Sequence, residues 1–196
     1  MIAIIDYNAG NNQSVANALD RLQAPYSITA DPAEITAASH VILPGVGHAA
    51  SAMSELRKRK LASLIPTLQQ PVLGICLGMQ LYYNSTQEGD TRCLGILPGE
   101  VKAIPGQGLA VPHMGWNDVN YDTSSPLFEG IASGTCFYLV HSYYADIGPG
   151  TMATCQYGLP ITVAVQHRNF YGVQFHPEKS SLQGQSLLQN FINITT

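Results

Sequence analysis

The sequence predicts an α/β fold: one domain over residues 1–196, built on an open, mixed, mostly parallel sheet flanked by helices. Three features predict it. Short apolar runs of buried-strand character recur through the first half, and stretches of helical periodicity separate them. The second half then changes to short strand-like segments set off by Gly or Pro turns. Buried strands alternating with helices imply right-handed crossovers and a parallel sheet. No internal repeat or linker divides the chain.

Residues 2–5 are the first buried strand. Val15, Ala18, Leu19 and Leu22 then fall on one face of a helix over 13–22. Residues 26–30 and 40–43 read as further strands. Between 49 and 70, Met53, Leu56, Leu61, Leu64 and Leu68 keep helical spacing, with Pro66 expected to break or kink it. Residues 72–75 form another buried strand, and a helix over 77–84 starts directly after it. Segments 101–104, 136–140, 151–156, 161–166 and 170–174 read as strands. A closing helix over 185–192 carries Leu187, Leu188, Phe191 and Ile192.

Hydrophobic residues make up 45% of the chain and charged residues 11%, a globular composition and not a disordered one. A formal charge of −4 with nine Lys and Arg argues against a nucleic-acid surface, which needs a basic patch. The one dense basic run, 57–60, lies within a helical pattern and fits a solvated face or a partner contact. No window reaches membrane-spanning length, and the start lacks the basic and long apolar regions of a signal peptide. Cys76, Cys93, Cys136 and Cys155 show no CxxC spacing, and the six histidines no ligand spacing, so no metal is expected. A cytoplasmic location with free thiols is the expectation.

Gly74-Ile75-Cys76-Leu77-Gly78 puts a cysteine where a buried strand meets a helix. A sharp turn there lifts the side chain above the sheet edge, and flanking glycines let strand and helix approach closely. The helix start favours thiolate over thiol; a buried structural cysteine is the competing reading. A nucleophile needs a base, and the base an orienting group. Phe175-His176-Pro177-Glu178 offers both, because residues two apart in an extended segment project to one side; a surface turn is the competing reading, which its place directly after a strand disfavours. Pro44-Gly45-Val46-Gly47 follows a strand and by itself reads as a tight βα turn, although its two glycines would also allow a peptide to turn an N–H toward a developing oxyanion.

Cys76 in its glycine elbow with a distant His176-Pro177-Glu178 resembles the class I, triad-type glutamine amidotransferases. Pro44-Gly45-Val46-Gly47, Pro112-His113-Met114-Gly115-Trp116-Asn117 and the run from Gly172 to Ser180 narrow the resemblance to the glutaminase subunits of imidazole glycerol phosphate synthase. The opening Asp6-Tyr7-Asn8-Ala9-Gly10-Asn11 and His141-Ser142-Tyr143-Tyr144 fit as well, so the match spans the chain. The sequence departs from that family's pattern at Asn8, Asn12 and His48-Ala49, and asparagine tolerates the positive φ a glycine position demands.

The resemblance implies that Cys76 attacks the glutamine amide, His176 serves as acid and then base, and Glu178 holds the imidazole. It implies oxyanion donors at the Val46 and Leu77 N–H groups. Glutamine binding would involve Gly45, Gly47, Gln80 and the backbone at Ser142 and Tyr143. Ammonia would pass to a (β/α)₈-barrel cyclase subunit, which forms imidazole glycerol phosphate and AICAR in histidine biosynthesis. Asn11, Asn12, Trp116, Asn117 and Lys179 are the candidates for facing that partner; for Trp116 a core position competes. No organic cofactor is implied. A paralogous glutaminase serving another synthase, or a catalytically silent regulatory subunit, are the alternatives at this point.

Overall fold

The computed structural model describes residues 1–8, 10–106, 108–121 and 125–195. Ala9 of the opening motif lies outside the described residues. Strand β1 (Ile2–Ile5) is buried throughout. Ile2 and Ile4 enter one apolar cluster while Ala3 and Ile5 enter another, since successive strand residues face opposite sides. Helix α1 (Asn12–Arg21) buries Val15, Ala16, Ala18 and Leu19. Strand β2 (Tyr26–Thr29) leads to α2 (Pro32–Ala37), a helix that periodicity does not predict. Its signal is local: Asp31 caps it by accepting the Ala33 N–H at 2.8 Å, and Pro32 occupies the first turn, where its missing N–H costs nothing.

Strand β3 (His40–Leu43) is followed by α3 (Ala49–Lys58) and α4 (Leu61–Leu64). The break expected at Pro66 falls at Lys60, whose φ of 60° is left-handed; Pro66 sits in a 3₁₀ turn, Ile65–Thr67. The basic run closes α3 as a solvated face, with Lys58 2.6 Å from Glu55 and Arg57 donating to the Arg92 carbonyl. After β4 (Val72–Ile75), α5 (Leu77–Gln80) is half the predicted length. Past Leu81 the i→i−4 ladder fails: the Tyr82 and Tyr83 N–H groups take the i−3 carbonyls of Met79 and Gln80, and the Asn84 N–H donates to the Gly99 carbonyl.

The remainder comprises β5 (Ser85–Thr86), β6 (Thr91–Arg92), β7 (Glu100–Ala103), β8 (His113–Val119), β9 (Thr135–His141), β10 (Tyr143–Ala145), β11 (Thr151–Tyr157), β12 (Leu159–His167), β13 (Phe170–Val173) and α6 (Ser181–Asn193). The main sheet runs β2-β1-β3-β4-β13-β12-β10-β7-β5-β6, with β11 paired to β12; β8 and β9 form a separate ribbon. From β2 to β13 all pairings are parallel, and the sheet turns antiparallel at β12. Period-two reasoning misses β8 because its large apolar residues, Met114 and Trp116, face outward. The C-terminal ends of β3, β4 and β13 therefore lie side by side, the edge where open α/β sheets place their sites. Among the described residues no helix is long and apolar enough to cross a membrane.

Candidate active site

Cys76 stands alone between β4 and α5 with φ 53° and ψ −110°, a conformation that costs a non-glycine residue energy. Two hydrogen bonds hold it: its N–H donates to the Val173 carbonyl at 2.7 Å, and its carbonyl accepts the Gln80 N–H at 3.1 Å. The glycines are required by contact. A Cβ at Gly74 would sit 2.8 Å from the Gly78 carbonyl, and one at Gly78 would sit 1.9 Å from the Leu43 oxygen. Gly78→Ala is expected to lower stability by about 2 kcal/mol or more, read as a fall in urea midpoint at unchanged slope. A parent-like midpoint would mean the elbow relaxes freely. Because α5 has only four residues, the dipole argument for Cys76 loses most of its force, and neighbouring side chains set the sulfur's surroundings.

β13 delivers His176, whose N–H donates to the Tyr138 carbonyl at 2.9 Å. Glu178 meets it, with Oε1 2.8 Å from His176 Nδ1 and both side chains buried. The route differs from the extended segment expected: Pro177–Lys179 is a 3₁₀ turn, and it curls the carboxylate back under the ring. Ser180, to which no sequence reasoning gave a role, staples that turn. Its hydroxyl donates to the His176 carbonyl at 2.7 Å and accepts the Tyr138 N–H at 3.0 Å. Burial opposes the imidazolium, but the Cys76 sulfur and the Glu178 carboxylate outweigh it and raise His176 to about 10. With Nδ1 taken by Glu178, His176 Nε2 is buried and left for the Cys76 sulfur.

Cys76 and His176 open on one cavity of about 290 Å³, lined also by Val46, Gly47, Leu77, Gln80, Ser142 and Tyr143. The structure thus brings together nearly all the residues predicted for this site, and it shows how each is engaged. The Gly45 carbonyl accepts the Leu77 N–H at 3.3 Å, so the two predicted oxyanion groups are not both free. Tyr7 straps the same loop by donating its hydroxyl to the Pro44 carbonyl at 2.6 Å. The Gln80 amide donates to the Tyr143 carbonyl (3.1 Å) and to Gln174 Oε1 (2.8 Å), which leaves its own oxygen for a ligand. Glu88 also lines the cavity, and its Oε2 caps α3 by accepting the Ala49 N–H at 2.7 Å. Motif reasoning missed Glu88, His141 and Gln174. For Gln174 a signal existed, a polar residue at the end of an apolar strand.

The chain as a whole has counterparts among known proteins. Residues 3–194 match the family model for glutamine amidotransferase class-I. The chain belongs to that family. It is 51% identical to the imidazole glycerol phosphate synthase subunit HisH of Moorella thermoacetica, over 97% of this chain and 93% of the relative. To the subunit of the same name from Dehalococcoides mccartyi it is 48% identical, over 99% and 97%. Among solved structures, the glutaminase domain of Trypanosoma brucei CTPS with bound acivicin superposes with a TM-score of 0.69 at 17% identity, covering 100% of this chain and 94% of that one. A PurLQS chain from Thermotoga maritima gives 0.72 at 18%, covering 98% and 97%. At such identities the likeness concerns the fold.

Within this amidotransferase, the departures from the family pattern find local roles. Asn8 has φ 62°, the left-handed region expected of it. His48 caps α3 through its ring nitrogen, 3.2 Å from the Ala50 N–H, and Ala49 is buried behind it. Asn12 turns inward and donates to Asp6 Oδ1 at 3.2 Å, so its side chain is not presented outward. Asn117 likewise turns to His113 and to the Gln156 carbonyl. Trp116 is 52% exposed and Met114 63%, which removes the core reading for Trp116; Lys179 is exposed as expected.

Proposed function

We propose that the chain hydrolyses glutamine through Cys76, His176 and Glu178 and passes the ammonia to a (β/α)₈-barrel cyclase subunit, yielding imidazole glycerol phosphate and AICAR. One observation carries the catalytic part. Glu178 holds Nδ1 of His176, which leaves Nε2 for Cys76 beside the cavity that both residues line. Cys76 attacks the side-chain amide carbon, and the imidazolium gives its proton to the departing nitrogen, releasing ammonia and a glutamyl thioester. His176, now neutral, takes a proton from water as it attacks the thioester. The oxygen of Gln80 and the carboxylate of Glu88 suit the substrate's α-ammonium group. The synthase-subunit names of the relatives, together with the exposed Met114 and Trp116 on β8, support an apolar docking face for the partner.

The direct test is ammonia release from glutamine with and without a barrel cyclase. Glu178→Gln is expected to lower turnover roughly a thousandfold or more, because an amide leaves the imidazole in the wrong tautomer. Parent-like turnover in that variant would reduce the proposed triad to a Cys76–His176 dyad. Glutamine hydrolysis that no barrel cyclase influences would remove the partner from the reading.

A further inference from the structure

Gln174 is fully buried between β13 and His176, and the catalytic scheme above gives it no task. Its amide orientation follows from its neighbours. Both Gln80 amide hydrogens are committed, one to the Tyr143 carbonyl and one to Gln174 Oε1, so Gln174 must turn its oxygen to Gln80. Its Nε2–H then points at Cys76 Sγ, 3.5 Å away. The Tyr143 carbonyl that anchors this arrangement also accepts from His141 Nδ1 at 2.8 Å. His141 Nε2 lies 3.0 Å from His113 Nδ1, and His113 Nε2 lies 3.2 Å from Asn117 Nδ2 on β8.

The polarity of this chain is fixed from the Asn117 end, and the Tyr143 end is consistent with it. Asn117 accepts the Asp118 N–H through Oδ1 (2.8 Å) and donates to the Gln156 carbonyl (3.1 Å), so its nitrogen faces His113, whose Nε2 must accept. A neutral His113 therefore donates from Nδ1 to His141 Nε2. From the other end, a carbonyl only accepts, so His141 Nδ1 carries a hydrogen, which leaves Nε2 free to accept the His113 N–H. The two deductions agree, and they require both imidazoles to be neutral. Burial favours that form, lowering His113 and taking His141 down to about 4. His113 is also stacked on Tyr157 at 3.9 Å, which fixes its ring plane.

We propose that Gln174 is a positioning residue for Cys76, holding the sulfur with its amide N–H, and that the chain Gln80–Tyr143–His141–His113–Asn117 fixes it from β8. The proposal rests on Cys76 being the nucleophile. Gln174 donates to the ionised sulfur and so favours thiolate over thiol, while the Cys76 S–H can reach the Val140 carbonyl only at 3.8 Å. His176 with Glu178, and the Tyr7 hydroxyl, are the other titratable groups at the sulfur; His141 stands behind His176.

The test is the pH dependence of Cys76 alkylation by iodoacetamide in the full chain, followed peptide by peptide so that Cys93, Cys136 and Cys155 are read separately. In Gln174→Met, which keeps the volume and removes the donor, the midpoint of the profile should rise by about one unit. Glutamine turnover with a barrel cyclase should fall about tenfold with little change in KM. A merely structural residue would lower the unfolding midpoint and leave the alkylation profile in place; that result overturns the assignment. If Gln174→Met does not fold, the far end decides. His113→Leu should move the profile in the same direction by a smaller margin, and His113→Asn, which keeps a donor near the Nδ1 position, should restore it. A His113→Leu profile identical to the parent's, or no rescue by His113→Asn, overturns the chain. These failures are distinct from failure of the nucleophile itself, which would show as glutamine hydrolysis surviving in Cys76→Ala.

Discussion

Cys76→Ala is expected to abolish glutamine hydrolysis, by on the order of 10⁴-fold or more, while the protein stays folded. The structural argument is that the side chain contributes chemistry and little packing. Alanine removes a single atom, the sulfur that the Gln174 amide meets at 3.5 Å, and leaves the Cβ in place. Alanine inherits the same positive φ at residue 76, so the elbow's strain is unchanged and the unfolding midpoint should move by less than that of Gly78→Ala. A barrel cyclase paired with the Cys76→Ala chain should still work when supplied with free ammonia, because the lesion is confined to ammonia production. Cys93 and Cys155 are buried away from the site and Cys136 is exposed, so alanine at each should alter stability alone. Glutaminase assays and ammonia-dependent synthesis, run on the same preparations, separate these outcomes. Retained glutamine hydrolysis in Cys76→Ala would end the mechanism.

The apolar runs of β1, β3 and β4 are buried on both faces, so nothing else in the sequence imitates them and their bounds read directly. The elbow and the His-Pro-Glu turn were legible for a similar reason: each packs its chemistry into a few consecutive residues. What was not legible depends on distant partners. The end of α5 is set where the Asn84 N–H turns to the carbonyl of Gly99, a distant partner that no local propensity reports. Gln174 sits where strand alternation would accept a solvent-facing polar residue, and its partner Gln80 is 94 positions away. The pairing of Glu178 with His176 does not distinguish a 3₁₀ turn from an extended segment, since both can return a carboxylate to the residue two before it. The direction of the Gly45–Val46 peptide could not be read at all, because the glycines permit both directions.

That peptide underlies the last expectation, that the isolated chain hydrolyses glutamine slowly and accelerates when a barrel cyclase with bound nucleotide docks. In the structure the Gly45 carbonyl faces the elbow and takes the Leu77 N–H. A trans peptide places its N–H opposite its C=O, so the Val46 N–H points away from the place where an oxyanion would form. Both candidate donors are thus withheld by one peptide orientation. Rotating it would free the Leu77 N–H and present that of Val46 in the same movement. Each oxyanion donor is typically worth roughly a hundred- to a thousandfold in turnover, so activation of at least about that factor is expected, with a smaller change in KM. Gly45 is a poor place to test this, because any Cβ there would lie 2.6 Å from the Gly78 nitrogen and disturb the elbow itself. Val46 is better: it is 39% exposed, so a substitution there disturbs little packing. Val46→Pro removes the N–H outright and should leave basal turnover and Cys76 alkylation near the parent's while losing most of the activation by the cyclase. Val46→Gly, which eases the rotation, should raise turnover without a partner. Full-speed hydrolysis by the purified parent chain, or full activation of Val46→Pro, would show that the oxyanion site does not depend on this peptide.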